Sequence, residues 1–249
     1  MEFQMPESPS SLALLFFFFF MFLFVYVFAY LVVLQNWGPK HRLEASSCFI
    51  SLAHGCPVVI MAIIAILQAP NMADFAALNT KYQGLVLEYS MAYFLMDLLH
   101  FILFYPRDFV FICHHLAVLY VFATCHYLVS RGALPILVLL VLAEFSSGCQ
   151  NVWTLAGYRR ADVPAAAKFQ DFVSPYFFTF YSILRGGFAP VFLHKMGEFY
   201  VSSAAENLIP KWAWISWMGV IGTAIFVSIL WVGNHWVLWF RRTKHGKAV

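Results

Sequence analysis

Two adjacent imidazoles, His114 and His115, stand downstream of a carboxylate, Asp97, with the turn signal Pro106-Arg107-Asp108 in between. A carboxylate facing an imidazole fixes its tautomer and orientation. An imidazole held in this way serves as a general base or as an acyl-accepting nucleophile. His114 or His115 is therefore the expected base or nucleophile, and Asp97 its orienter. Neighbouring residues on a helix point about 100° apart, so the two rings cannot aim at one atom, and the sequence leaves open which faces a substrate. Around this trio an otherwise apolar chain carries His54, His100, Glu144, Asn151, Arg185 and His235, expected to line the same site as substrate-binding groups. Other chemistries lack their residues. Phe111 stands where a di-iron H-x-x-H-H cluster needs a histidine, and neither the zinc-protease pattern H-E-x-x-H nor the nucleophile elbow G-x-S-x-G occurs. No metal site is expected.

The elements that must hold these groups are membrane helices. Of 249 residues, 62% are apolar, 19% aromatic and 11% charged, where a soluble domain is about 25% charged. Fifteen Lys and Arg against twelve Asp and Glu leave a net charge of +3, too small an excess for a nucleic-acid partner. The five cysteines fall in or beside apolar stretches without a C-x-x-C pair and read as small buried hydrophobes. A span needs about 20 mainly apolar residues. Seven stretches qualify: Leu12–Leu34, Ser47–Gln68, Gln83–Tyr105, Phe109–Val129, Ala133–Ala156, Phe172–His194 and Ala213–Phe240. All must be helical, because lipid offers the backbone no other partner. The fold class is thus all-α and integral to the membrane. The first stretch is flanked by Glu2 and Glu7 rather than by Lys or Arg and is too long for a signal-peptide core, so it reads as a retained helix. The chain divides into residues 1–46, with the N-terminal tail, first helix and a basic loop; residues 47–240, a six-helix domain; and residues 241–249, a basic tail.

Basic residues set the orientation. Ten of them (Lys40, Arg42, Arg107, Arg159, Arg160, Lys168, Arg241, Arg242, Lys244 and Lys247) fall on one side and four (Lys81, Arg131, Lys195 and Lys211) on the other. The positive-inside rule then puts the N-terminus in the lumen or outside the cell and the tail in the cytosol. At about 1.5 Å per residue, His54, Asp97, His114, His115, Asn151 and His235 all lie roughly 7–12 Å from the cytosolic edge. Glu144 and Arg185 sit deeper, near the middle of a core about 30 Å thick, as natural partners by depth. Six helices thus supply a polar group to one cytosol-facing cavity, and the Phe-rich first helix supplies none.

Intramembrane charges cost at least about 2.5–3.5 kcal/mol each on the insertion scale, so they face inward and find partners. Each has a structural reading beside the functional one. Glu144 and Arg185 form an interhelical salt bridge or a pocket wall, His54 and His235 serve as hydrogen-bond glue or as ligands, and His100 is either solvated or part of the site. His126, in the lumenal half, reads as a packing histidine. Three functions follow: a lipid-binding or lipid-processing cavity, a non-enzymatic sensor, escort or scaffold with a structural polar cluster, or a transporter. The third is weakened because the lumenal half supplies only Glu88 and His126.

The segment Tyr93-Phe94-Leu95-Met96-Asp97, then Pro106-Arg107-Asp108, His114-His115, Glu144-Phe145-Ser146 and Asn151, resembles the TLC-domain family of multi-pass proteins. Ser51-Leu52-Ala53-His54 and Arg185 fit the same pattern, so the resemblance covers about Ser47 to Phe240. It implies six helices ringing a cavity with one N-terminal helix outside, a membrane lipid or acyl chain as partner, and an endoplasmic-reticulum or other internal membrane as address. The enzymatic branch, the ceramide synthases, joins a fatty acyl-CoA to a sphingoid base through a motif containing the paired histidines. On that branch the chain would be an acyl-CoA-dependent acyltransferase, with acyl-CoA as co-substrate and no resident cofactor. That motif continues into His-Asp-x-x-Asp, then Glu and Lys. Here the corresponding stretch reads Ala143-Glu144-Phe145-Ser146-Ser147, with Asn151 where the later Glu would lie. Size and pattern resemble instead the small TLC-domain-containing proteins linked to lipid homeostasis, and whether the chain is an enzyme stays open.

Overall fold

Lipid satisfies no backbone group, and every long element accordingly closes its own hydrogen bonds as a helix. The computed structural model describes residues 10–202, 205 and 207–245; Glu2, Glu7 and the tail from Gly246, Lys247 included, lie outside the described residues. In chain order the helices are α1 (Ser10–Phe28), α2 (Pro39–Leu67), α3 (Lys81–Phe104), α4 (Phe109–Ala123), α5 (Ala133–Tyr158), α6 (Pro164–Tyr181), α7 (Ala189–Val201) and α8 (Lys211–His245). Wider π-helical turns prolong α1 over Ala29–Val33 and α4 over Thr124–Val129, and a third, Ser182–Phe188, joins α6 to α7.

The starts of these helices are written locally. Thr80 and Gln83 form a reciprocal capping box on α3, which satisfies two amides that the first turn leaves open. Asp108 accepts from the amide of Phe111 to open α4, and proline occupies the first turn of α2 and of α6, where its missing N–H costs nothing.

Among the described residues six helical segments are long and apolar enough to cross a membrane: Leu12–Val33, His41–Leu67, Lys81–Phe104, Phe109–Val129, Ala133–Tyr158 and Lys211–Arg241. The protein is a multi-pass membrane protein. The seventh expected span, Phe172–His194, is not among them. It falls inside the helical run Pro164–Val201, which the π turn at Ser182–Phe188 divides into pieces. Length is sufficient in that run, but a single regular apolar helix is absent.

α3 is the most enclosed of the spanning helices, with 72% of its apolar window buried. It packs against α1, α2 and α4, while α5 lies along α2 and α6 along α5. α1 lies against α2 and α3 from outside, and it does supply a polar group: Tyr26 Oη meets His100 Nδ1 at 2.9 Å. The expectation that the first helix contributes none is corrected by that contact.

At one end of the bundle the connecting segments are laced together. Asn79 donates from its side chain to the Cys125 carbonyl at 2.9 Å and accepts from the Ala133 amide at 2.9 Å. Its backbone N–H reaches Ser130 O, and Arg131 donates to Ala76 O. Gly132, at φ 85°, makes the left-handed entry to α5, a conformation that costs glycine nothing.

Pro57 lies inside α2 and so cannot donate to the carbonyl of Ala53 one turn back. Tyr89 of α3 fills that vacancy, its hydroxyl donating to Ala53 O at 2.8 Å. Tyr89→Phe should therefore destabilise the protein by about 1–3 kcal/mol, the cost of a buried acceptor left unpaired. In a Pro57→Ala background, where the helix can bond Ala53 itself, the same change should cost much less; thermal unfolding of the four variants in detergent measures the difference.

Candidate functional site

The site is organised on one face of α3. Ser90, Tyr93, Phe94 and Asp97 fall at i, i+3, i+4 and i+7, the repeat that puts side chains on one stripe of a helix. On α2, Ser47, Ser51 and His54 share a face at i, i+4 and i+7 in the same way. α4 brings His114 and His115, α5 brings Glu144, Ser146, Ser147 and Asn151, and the π turn after α6 brings Arg185.

Asp97 is buried and both its oxygens are engaged. Oδ2 lies 2.8 Å from His115 Nε2, and Oδ1 accepts from Ser47 Oγ at 2.6 Å. The other nitrogen of His115, Nδ1, lies 2.7 Å from the carbonyl of Phe111. A carbonyl only accepts, so Nδ1 carries a proton. Nε2 and the carboxylate then share one further proton, and the pair is net neutral wherever that proton rests. His115 is thus locked between two acceptors and flanked by the rings of Phe94 and Phe101 at 5.5 and 5.4 Å.

His114 has the opposite character. It is half-buried, it touches the edges of Phe94 and His115, and neither ring nitrogen has a hydrogen-bond partner among the described residues. It lies within electrostatic reach of Arg185 and Glu144. The choice between the two rings resolves on this geometry: His115 is the fixed one and His114 the one left free to meet a ligand.

His54 is fully buried. Its ring stacks on Tyr93 at 4.2 Å and 8°, its Nε2 lies 3.2 Å from Ser90 Oγ, and its Nδ1 points at Glu144 Oε2 from 3.7 Å. That nitrogen has no hydrogen bond. Glu144 reaches α2 because Gly55 has no side chain there, where a Cβ would stand 3.2 Å from Oε2.

Glu144 and Arg185, expected as partners by depth, do not pair. Arg159 and Arg160 find carboxylates at 4.0 and 2.6 Å, whereas Arg185 finds none within the same 4.0 Å among the described residues. Its guanidinium donates instead to Ser146 Oγ at 3.1 Å, Ser147 Oγ at 3.1 Å, Ala143 O at 2.9 Å and, more weakly, Ser228 Oγ at 3.4 Å. The physical reason is rotation about α5. Glu144 turns towards α2, and Ser146 and Ser147, two and three residues on, face the π turn.

The remaining expected residues scatter. Asn151 donates to Ser51 Oγ at 2.7 Å and ties α5 to α2. His100 turns outward to Tyr26. His235 is separate from the cluster: its Nδ1 binds Trp231 O at 2.9 Å, and its ring lies among Trp153, Phe178 and Trp231. α8 reaches the site through Ser228 instead. Ser47, Ser90, Ser146, Ser147 and Ser228 are the polar neighbours of these groups that the sequence did not single out; the helical spacing of Ser47, Ser51 and His54 is the available signal.

Between the polar groups the space is occupied by the buried rings of Phe22, Tyr89, Tyr93 and Phe94, so the cavity expected there is corrected to a packed aromatic wall around His54. Two hollows lie elsewhere. One, of about 370 Å³, runs between α7 and α8 along Pro190, Leu193, Met218 and Phe226, and the other, of about 490 Å³, is at the turn Phe104–Asp108. Among the described residues no group of three or more His, Cys, Asp or Glu side chains is placed to hold a metal ion.

The sequence profile of the TLC domain matches residues 44–236. A TLC domain-containing protein of Arabidopsis thaliana is 50% identical over 221 residues, which is 88% of this chain and 87% of that protein. No solved structure matches.

His115→Ala strips the buried Asp97 of its partner and should destabilise by about 3–5 kcal/mol. His114→Ala removes no hydrogen bond and should shift stability by about 1 kcal/mol or less. Adding Asp97→Asn to His115→Ala should recover part of the loss, because the unpaired charge is gone. Thermal melts of the purified variants rank the three.

Proposed function

Because the chain belongs to the TLC-domain family, we propose that it binds a long-chain lipid or acyl group beside His114 and acts in membrane lipid homeostasis. The observation that carries this reading is the contrast within the histidine pair: one ring is locked by Asp97, Ser47 and the Phe111 carbonyl, and its neighbour is half-buried with both nitrogens unengaged. An imidazole with both nitrogens open can exchange a proton with a ligand bound beside it, while the Asp97–His115 pair holds its helix in place. The substrate-binding groups are then Glu144 and Arg185, with His54, His100, Asn151 and His235 in supporting positions that fix the helices around them.

The address is the endoplasmic reticulum or another internal membrane. Ten basic residues on one side against four on the other support a lumenal N-terminus and a cytosolic tail, which opens the His114 half of the bundle to cytosolic acyl-CoA. In an acyl transfer of the ceramide-synthase type, His114 would take the proton of an attacking amine or hydroxyl as its nitrogen or oxygen bonds to the thioester carbonyl carbon; the C–S bond then breaks, and the departing thiolate takes that proton back from His114.

A non-enzymatic reading, as a lipid sensor, escort or scaffold, is favoured by a different observation. Asp97 and His115 use every polar atom on each other and on the helices beside them, as a purely structural pair would.

One experiment separates the two. Lipid profiles are compared in cells lacking the protein and in cells regaining either the wild type or His114→Ala. The enzymatic reading expects His114→Ala to accumulate normally in the membrane and leave the profile as in the deficient cells. Full restoration by His114→Ala would leave the non-enzymatic reading standing.

A further inference from the structure

Arg185 is a permanent cation, since a guanidinium does not release its proton in proteins. Its bonds to Ser146 and Ser147, midway along the span Ala133–Tyr158, place it near the middle of the hydrocarbon. Groups placed there are costly unless their charge is balanced. The three carboxylates buried inside the bundle each face an imidazole: Glu88 meets His126 at 2.9 Å, Asp97 meets His115 at 2.8 Å, and Glu144 faces His54 at 3.7 Å. Among the described residues half-buried Arg185 touches no carboxylate: its hydrogen bonds go to neutral oxygens, three serine hydroxyls and one carbonyl, its guanidinium lies 5.0 Å over the Tyr181 ring, and Glu144, within electrostatic reach, is turned to His54. Four of its five N–H bonds are used in this way, one of them at 3.4 Å, which leaves Nη1 the donor with capacity to spare.

The surroundings are open rather than packed. Gly187, two residues on in the π turn, and Gly148, beside Ser147 on α5, have nothing within 4 Å of where a Cβ would stand. π-helical turns of this kind are concentrated at functional sites. His114 lies within electrostatic reach.

We propose that Arg185 is the receptor for the head of an anionic lipid, a single negative charge carried on oxygen, with the chain lying in the membrane beside α5 and the π turn. This rests on the lipid-binding reading and names its substrate class. A singly charged carboxylate or phosphodiester neutralises the guanidinium without leaving a surplus charge in the hydrocarbon, and a planar guanidinium matches the geometry of either oxyanion. The three serines then hold the cation in place for a ligand. Bound there, the head group sits next to the free ring of His114.

The test uses the full chain in nanodiscs of phosphatidylcholine, with four probes of the same acyl chain: oleate, oleoyl lysophosphatidylglycerol, oleyl alcohol and monoolein. The wild type should bind at least one of the two anions about tenfold or more tightly than its neutral analogue, the advantage that hydrogen bonds to a charged group confer. Which anion wins separates a fatty-acid carboxylate from a phospholipid head. Arg185→Gln should abolish the preference and leave the neutral probes bound within about threefold, and Arg185→Lys should keep part of it as a point charge. If Arg185→Gln fails to fold, the wild-type preference and the Arg185→Lys value decide. Equal binding of anions and neutral analogues by the wild type overturns the anion site while leaving lipid binding intact. Binding of none of the four overturns both.

Discussion

A carboxylate cannot stand alone in hydrocarbon, and the bundle meets that constraint with imidazole. The pairs Glu88–His126, Asp97–His115 and Glu144–His54 join α3 to α4 twice and α5 to α2 once. Imidazole is suited to the task because one shared proton leaves acid and base together uncharged, whichever of them holds it. A lysine or arginine partner would leave two full charges to be held in contact. Two of these pairs depend on a glycine in the facing helix. A Cβ at Gly84 would stand 2.7 Å from His126 Cε1, and one at Gly55 would stand 3.2 Å from Glu144 Oε2. The helices approach closely because the polar pairs must close, and they can close because those two positions carry no side chain.

The spanning helices were legible in the sequence from length and apolarity, which for a membrane chain leave little freedom. Six of the seven stretches agree with the structure to within a few residues, apart from the earlier start of the second. The exception, Phe172–His194, contains Gly186-Gly187 and Pro190 and is crossed by a π turn, a departure that hydropathy does not register. The site was legible in part. Depth counting put Asp97 and the histidine pair at one level, and their contact is in the structure. Depth alone does not fix rotation about the helix axis, however. Glu144 and Arg185 share a level and look in different directions, and His235 shares the level of His115 while facing a cage of tryptophans. The serines were invisible for another reason: in a membrane helix a hydroxyl commonly bonds its own preceding turn, as Ser146 does to Ala143 O, and nothing in the residue type distinguishes one that also reaches a neighbour.

Aromatic residues, 19% of the chain, also perform polar duties. Tyr89 serves the carbonyl that Pro57 leaves open, Tyr26 reaches His100, and Tyr93 supplies the flat surface on which His54 lies. Each places a ring in an apolar setting with its hydroxyl or π face turned to a single polar atom, which suits tyrosine to the interior of a membrane bundle. Phe22 and Phe94 complete the wall around the same imidazoles.

The lacing around Asn79 ties the α2–α3 segment to the α4–α5 turn through main-chain and side-chain bonds alike, and Phe75 in the same segment packs on Phe192 and Phe199. The opposite rim carries the ion pair of Arg160 with Asp171 and the stack of His41 on Tyr158, beside a small apolar cluster of Ala29, Leu34 and Ala45. The tightest connections between loops therefore gather at one leaflet, while the other half is joined helix to helix through Ser47–Asp97, Asn151–Ser51 and Tyr26–His100. Register between the helices is thus set from both ends: by loop contacts at one face of the bilayer and by side chains reaching between helices at the other.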